Sequence, residues 1–323
     1  MSIHIFTYFV KNISKSIENE AGRTFIQKCF GMEKKMSGYQ VRTDLALEAR
    51  ESIKESDGEL RGVRSKETYD KERDIRVTKV MIETKNGAKA MGKPIGTYVT
   101  IEAPRMLEED EGYHREISEV LSKELKQLIP HADTEQSILV VGLGNREVTA
   151  DALGPHVVDN LFITRHVVKE YGKAAYNADK MNLISSIEPG VMAKTGMETA
   201  EIVRGVIDQT MPEVVIVIDA LAARSTRRLN RTIQIANTGI WPGSGVGNHR
   251  NALTYDSLGV PVIAIGIPTV VDAKTIINDA VGAQREGVAS ELHNMYVTSK
   301  DIDAVIKKLS FLVSEGINIA LEI

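Results

Sequence analysis

The sequence predicts an α/β fold: a mostly parallel sheet with helices on both faces. Four short, nearly all-apolar runs recur through the second half of the chain: SILVVGLGN at 137–145, MNLISSI at 181–187, EVVIVIDAL at 213–221 and VPVIAIGIPT at 260–269. Helical stretches at 152–170 and 197–210 lie between some of them. Strands without polar alternation are strands buried on both sides, and a parallel sheet covered by helices is the arrangement that buries them. The 323 residues are enough for one large α/β domain or two small ones. With no internal repeat, low-complexity segment or linker in 75–323, a single domain over 40–323 is expected.

The remaining elements follow in chain order. Met1 to Val10 is apolar, but it lacks a basic leading region and is broken by Lys11 and Asn12, so it is a poor secretory signal. Met32 opens a polar stretch, MEKKMSGYQ, that serves equally well as a start. Residues 1–31 therefore have two readings, a translated extension or an over-long gene reading. From Glu48 to Asp74 the chain is dense in charge, which predicts a solvated helix and a connecting loop. Two strands follow at 75–84 and 96–104, with Gly87, Gly92 and Pro94 punctuating the gap. Residues 113–129 place Ile117, Val120, Leu121, Leu125 and Leu128 on one helical face.

Composition narrows the function. Forty Lys and Arg against 44 Asp and Glu give a formal net charge of −4, which exerts no global pull on phosphate backbones. No apolar run reaches the ~18 residues needed to span a bilayer. The single cysteine, Cys29, excludes intrachain disulfides and multi-cysteine metal sites and fits a reducing, cytoplasm-like compartment.

In open α/β sheets, functional groups gather beyond the carboxyl ends of the strands. Asp151 lies a short loop after the GLGN strand end, and Asp219 closes the run VIVI. Two carboxylates converging on one crevice repel each other, so one pKa rises and the pair shares a proton. One member then deprotonates a water while the other polarises a peptide carbonyl. Each also has a plainer reading: Asp151 as N-cap of a helix from Ala152, Asp219 as an anchor for Arg224, Arg227 or Arg228. Glycines cluster at GLGN (Gly142, Gly144, Asn145) and at TGIWPGSGVGN (Gly243, Ser244, Gly245, Gly247, Asn248). Such loops offer backbone N–H groups at close range, and equally they form tight turns. Neither is a phosphate-binding P-loop, and GSGVG is not the GxSxG elbow. His114, His131, His156, His166, His249 and His293 show no paired metal-ligand spacing, so neither a metal nor a cofactor is expected.

Taken together, VRTDLALEA (41–49), GTYVTIEAP (96–104), VVGLGN (140–145), DALGPHVV (151–158), EPGVMAKTGMET (188–199), DALAARS (219–225), NRTIQIANTGIWPGSGVGNHR (230–250) and GVPVIAIGIPTVVDA (259–273) resemble the germination protease family of spore-forming bacteria. The resemblance implies an endopeptidase that degrades the small acid-soluble proteins of the spore, located in the forespore or spore core and assembled as a homotetramer. It also implies a distant relation to the hydrogenase maturation proteases and a phosphorylase/hydrolase-like three-layer sandwich. The family's two proposed catalytic aspartates fall on Asp151 and Asp219. The family is made as a zymogen, which places the processed bond near Tyr39–Gln40 and makes 1–39 an extension plus pro-segment. Ala150 stands where the family has Pro, which would loosen the loop before Asp151. Two other readings are weighed. A peptidyl-tRNA hydrolase-like enzyme shares GLGN, but Arg146-Glu147 replaces the Pro-Gly that should follow. An inactive binding protein of the same fold is opposed by both aspartates and the Gly-rich loop.

Overall fold

The computed structural model describes residues 44–54, 61–176, 180–243, 250–273, 276 and 295–322. In chain order the strands are β1 (Val63–Asp70), β2 (Ile75–Ile82), β3 (Gly96–Glu102), β4 (Ser137–Gly142), β5 (Leu183–Ile187), β6 (Val214–Ala223), β7 (Thr232–Ala236), β8 (Val262–Asp272) and β9 (Tyr296–Val297). The main helices are α1 (Ala46–Lys54), α2 (Lys85–Met91), α3 (Glu111–Leu128), α4 (Leu153–Asp159), α5 (Arg165–Tyr171), α6 (Thr199–Thr210) and α7 (Ile302–Ala320).

The strands form one sheet in the order β1-β2-β3-β7-β8-β6-β4-β5, with β9 added on β8. It is an α/β sheet as expected, and it is mixed. The four runs singled out in the sequence, β4, β5, β6 and β8, pair in parallel. β1, β2, β3 and β7 extend it as an antiparallel wing.

Alternation along the parallel strands divides the core in two. Ile138 and Val140 of β4 and Val214, Ile216 and Ile218 of β6 pack under α3, α4 and α7. Their neighbours Leu139, Val141, Val215 and Val217 face the opposite way, against Val203 and Ile207 of α6. Period-two alternation of a strand buried on both sides makes this the only way to cover both faces. Each such side chain contributes about 1.5–3 kcal/mol by leaving water.

Three expectations change. The charged stretch 48–74 is not simply solvated: Glu48 is buried and residues 63–70 form β1, antiparallel to β2. β1 reads VRSKETYD and is largely exposed, so it carries no apolar pattern to betray it. The single helix expected over 152–170 is two, α4 and α5, interrupted around Leu161–Thr164. There Thr164 N–H donates to Ile184 O (3.2 Å), its hydroxyl donates to Asn182 O (2.5 Å), and Ile184 N–H donates to that hydroxyl (2.9 Å). A β-branched residue bonded to a strand edge on both sides has left the helix for the sheet. Finally, Asp219 does not end its strand, because β6 continues to Ala223.

Candidate active site

The crevice begins where β4 stops. Gly142, its last residue, pairs with Ile218, and Leu143 N–H donates to Ile218 O at 2.8 Å. Asp219 is therefore the first residue of β6 with no partner on β4. The chain leaving β4 arches over β6 and reaches the strand beyond it, since Thr269 on β8 donates its hydroxyl to Ala150 O at 2.6 Å. Asp151 is carried by that arch. This bond also holds Ala150 in place, which answers the loosening expected from the absence of Pro.

Glycines make the arch possible. A Cβ on Gly144, whose φ is +118°, would stand 1.9 Å from Asp151 O. Gly142 and Gly154 approach backbone to backbone, and a Cβ on either would meet the other segment at 2.3 Å. Asp151 closes a 3-10 turn, Thr149–Asp151, and its carboxylate accepts the N–H of Asn145 at 2.9 Å. The following helix has Ala152 at its N-cap and no side-chain cap, so Asp151 is not the cap of that helix. Arg146 fixes the outside of the arch, donating to Glu188 beyond β5, to Asp159 of α4 and to Pro155 O.

Asp219 is 6 % exposed, and its Oδ1 accepts the N–H of Ala220 at 2.9 Å. It does not anchor the arginines that follow it: Arg228 pairs with Glu48, Glu51 and Glu102. Burial, together with the negative charges of Asp151 and Asp44, holds the Asp219 carboxyl well above the usual carboxylate range. Burial also pushes Asp151 up, but the Asn145 N–H and the Arg250 charge pull it back. Of the two carboxyls, Asp219 is the one held further above the ordinary range.

The structure brings together Gly142, Gly144, Asn145, Asp151 and Asp219. Gly243 lies in a turn at φ +72°. Ser244, Gly245, Gly247, Asn248 and the Tyr39–Gln40 bond lie outside the described residues. Three residues near the pair carried no role in the sequence: Asp44, Arg250 and Thr269. Asp44 and Arg250 stand inside the runs VRTDLALEA and NRTIQIANTGIWPGSGVGNHR that carry the family resemblance, but nothing local distinguishes them. Among the described residues no group of three or more His, Cys, Asp or Glu is arranged to hold a metal ion, and no helix is long and apolar enough to cross a membrane.

The germination protease family model matches residues 41–284. A germination protease of Caldanaerobacter subterraneus subsp. tengcongensis is 45 % identical over 312 residues, covering 87 % of this chain and 94 % of that one. One from Clostridium perfringens is 44 % identical, covering 88 % and 96 %. Among solved structures, the [NiFe] hydrogenase maturation protease HycI of Thermococcus kodakarensis is 17 % identical with a TM-score of 0.32, covering 60 % of this chain and 99 % of that one.

Proposed function

The chain belongs to the germination protease family, and on that premise we propose that Asp151 and Asp219 hydrolyse peptide bonds by sharing one proton. The observation that supports this most is the buried Asp219 beside the arch that carries Asp151, with mutual repulsion keeping one proton on the pair. Asp151, ionised, takes a proton from a water whose oxygen attacks the peptide carbonyl carbon. Asp219 gives its proton to the carbonyl oxygen, and a neutral gem-diol results. Collapse returns a hydroxyl proton to Asp219, Asp151 delivers its proton to the amine nitrogen, and the C–N bond breaks. Each carboxyl ends as it began.

The substrates in this reading are the small acid-soluble proteins of the spore, degraded in the spore core during germination. The enzyme is a homotetramer made as a zymogen. It removes residues 1–39 itself by cutting near Tyr39–Gln40. Intact mass and N-terminal sequencing after about a day at mildly acidic pH test this, with Asp219→Asn and Asp151→Asn alongside. A new terminus near Gln40 in the wild type alone is expected. Identical processing in either variant would remove that aspartate from the chemistry.

A further inference from the structure

Beyond Ile218, the edge of β6 vacated by β4 is taken up again by another segment. Ile218 and Ala222 lie an even number of residues apart, so their backbone groups point to the same side of the strand. At Ile218 that side is filled by Leu143. At Ala222 it is filled by Asp44: Asp44 N–H donates to Ala222 O at 3.2 Å, and Ala222 N–H donates to Asp44 Oδ2 at 2.9 Å. The crevice is thus a gap in the edge of β6 bounded by the β4 turn on one side and by Asp44 on the other. Asp219 lies in that gap.

The segment that carries Asp44 is held firmly. Its carbonyl accepts from Lys93 Nζ (2.9 Å) and Gln234 Nε2 (3.0 Å), and Ala46 N–H donates to Gln234 Oε1 at 2.6 Å. One turn on, Glu48 accepts the N–H groups of Arg224 (2.8 Å) and Ser225 (3.1 Å), just past the end of β6. Leu45 is fully buried with Leu221, Ala223 and Val271. Two carboxylates from one segment therefore hold the far end of the strand on which Asp219 stands.

We propose that Asp44 is a positioning residue of the aspartate pair: it fixes the far rim of the crevice and stands its negative charge beside Asp219. This rests on the proposed function above. The charged groups that face Asp219 are Asp151 from the arch, Asp44 from the segment before α1, and Arg250, and the charge of Lys93 acts with that of Asp44. Of these, Asp151 and Asp44 favour the protonated form of Asp219, and Arg250 opposes it.

The test is a double-mutant cycle on the full chain: wild type, Asp44→Asn, Asp219→Asn and the double variant, melted at about pH 4 and about pH 8. Asparagine keeps an acceptor for Ala222 N–H, so the brace survives while the charge goes. At the higher pH, Asp219→Asn is expected to raise Tm more in the wild type than in the Asp44→Asn background. At the lower pH, where Asp219 holds its proton in the folded chain, the two gains become equal. The same variants, given a small acid-soluble spore protein as substrate, are to show the alkaline limb of kcat at lower pH when Asp44 is Asn. Additive Tm changes at both pH values, or an unmoved limb, would overturn the proposal. Full cleavage by Asp219→Asn would instead overturn the pair's chemistry, and the Tm cycle would still read the coupling of Asp44 to Asp219.

Discussion

The backbone N–H of Asn145 donates to Oδ2 of Asp151 at 2.9 Å, six residues on, closing the loop onto its own last side chain. The bond stabilises the ionised form of that carboxylate and orients it. It forms only because the turn at Gly144 lets Asp151 O pass where a side chain would otherwise stand.

Gly144→Ala is therefore expected to damage the site more than the fold. Its positive φ costs an alanine about 1–3 kcal/mol, and the new methyl group meets backbone, which cannot swing aside. The arch must shift, and a shift of about 1 Å at a reacting group costs about a hundredfold in rate. Proteolysis of a spore protein and a thermal melt check it together. A variant with native Tm and native activity would show that the arch does not set the geometry of Asp151.

Thr269 makes a second, separable prediction. Its buried hydroxyl is the bond that ties the arch to β8, and Thr269→Val leaves Ala150 O without that donor. Losing a hydrogen bond at the partly buried Ala150 costs about 0.5–1.5 kcal/mol. Activity is expected to fall about tenfold, because Ala150 immediately precedes Asp151. Thr269→Ser, which keeps the hydroxyl, is expected to recover most of both losses. A serine variant no better than valine would assign the effect to packing.

Asp219 illustrates a conflict between stability and chemistry. A carboxyl whose pKa is raised by folding binds its proton more tightly in the native chain. Its contribution is therefore most favourable below the unfolded value of about 3.9 and is lost as pH rises toward the folded value. Asp219→Asn removes that loss. The variant is expected to be inactive yet to melt higher than wild type near neutral pH, with each kcal/mol recovered reading as roughly 2–4 °C. The difference in Tm is expected to vanish near about pH 3. A variant that melts lower at every pH would mean that the buried carboxylate is better compensated than its neighbours indicate.

Much of this was legible in the sequence, and for identifiable reasons. The parallel strands announced themselves because a strand buried on both faces has no polar residues to hide it, and Asp219 stood out as the lone charge in VVIVIDAL. β1 was not legible, because an exposed hairpin strand has no apolar face to read. Asp44 and Thr269 were missed for another reason: their partners, Ala222 and Ala150, lie 178 and 119 residues away, and only the topology brings them together. Glu48 looked like one charge among many and is buried because two backbone N–H groups past β6 need an acceptor.

Arg250 makes the last prediction, and its sign is opposite to that of Asp44. The guanidinium lies within electrostatic reach of both aspartates and favours the ionised form of each. Three residues after Arg250, Leu253 pairs with Ile240 in an antiparallel bridge. In Arg250→Gln both carboxyls hold protons more tightly. Asp151, which must be ionised to take a proton from water, is then protonated over more of the acidic range. The acid and alkaline limbs of the kcat profile are both expected to move to higher pH, with activity at mildly acidic pH falling several-fold. Because Asp44→Asn moves the alkaline limb the other way, the double variant Asp44→Asn/Arg250→Gln is expected to restore it toward the wild-type position. Measured pH–rate curves of the four proteins decide this: a limb that ignores Arg250→Gln would mean that its charge is screened from the pair.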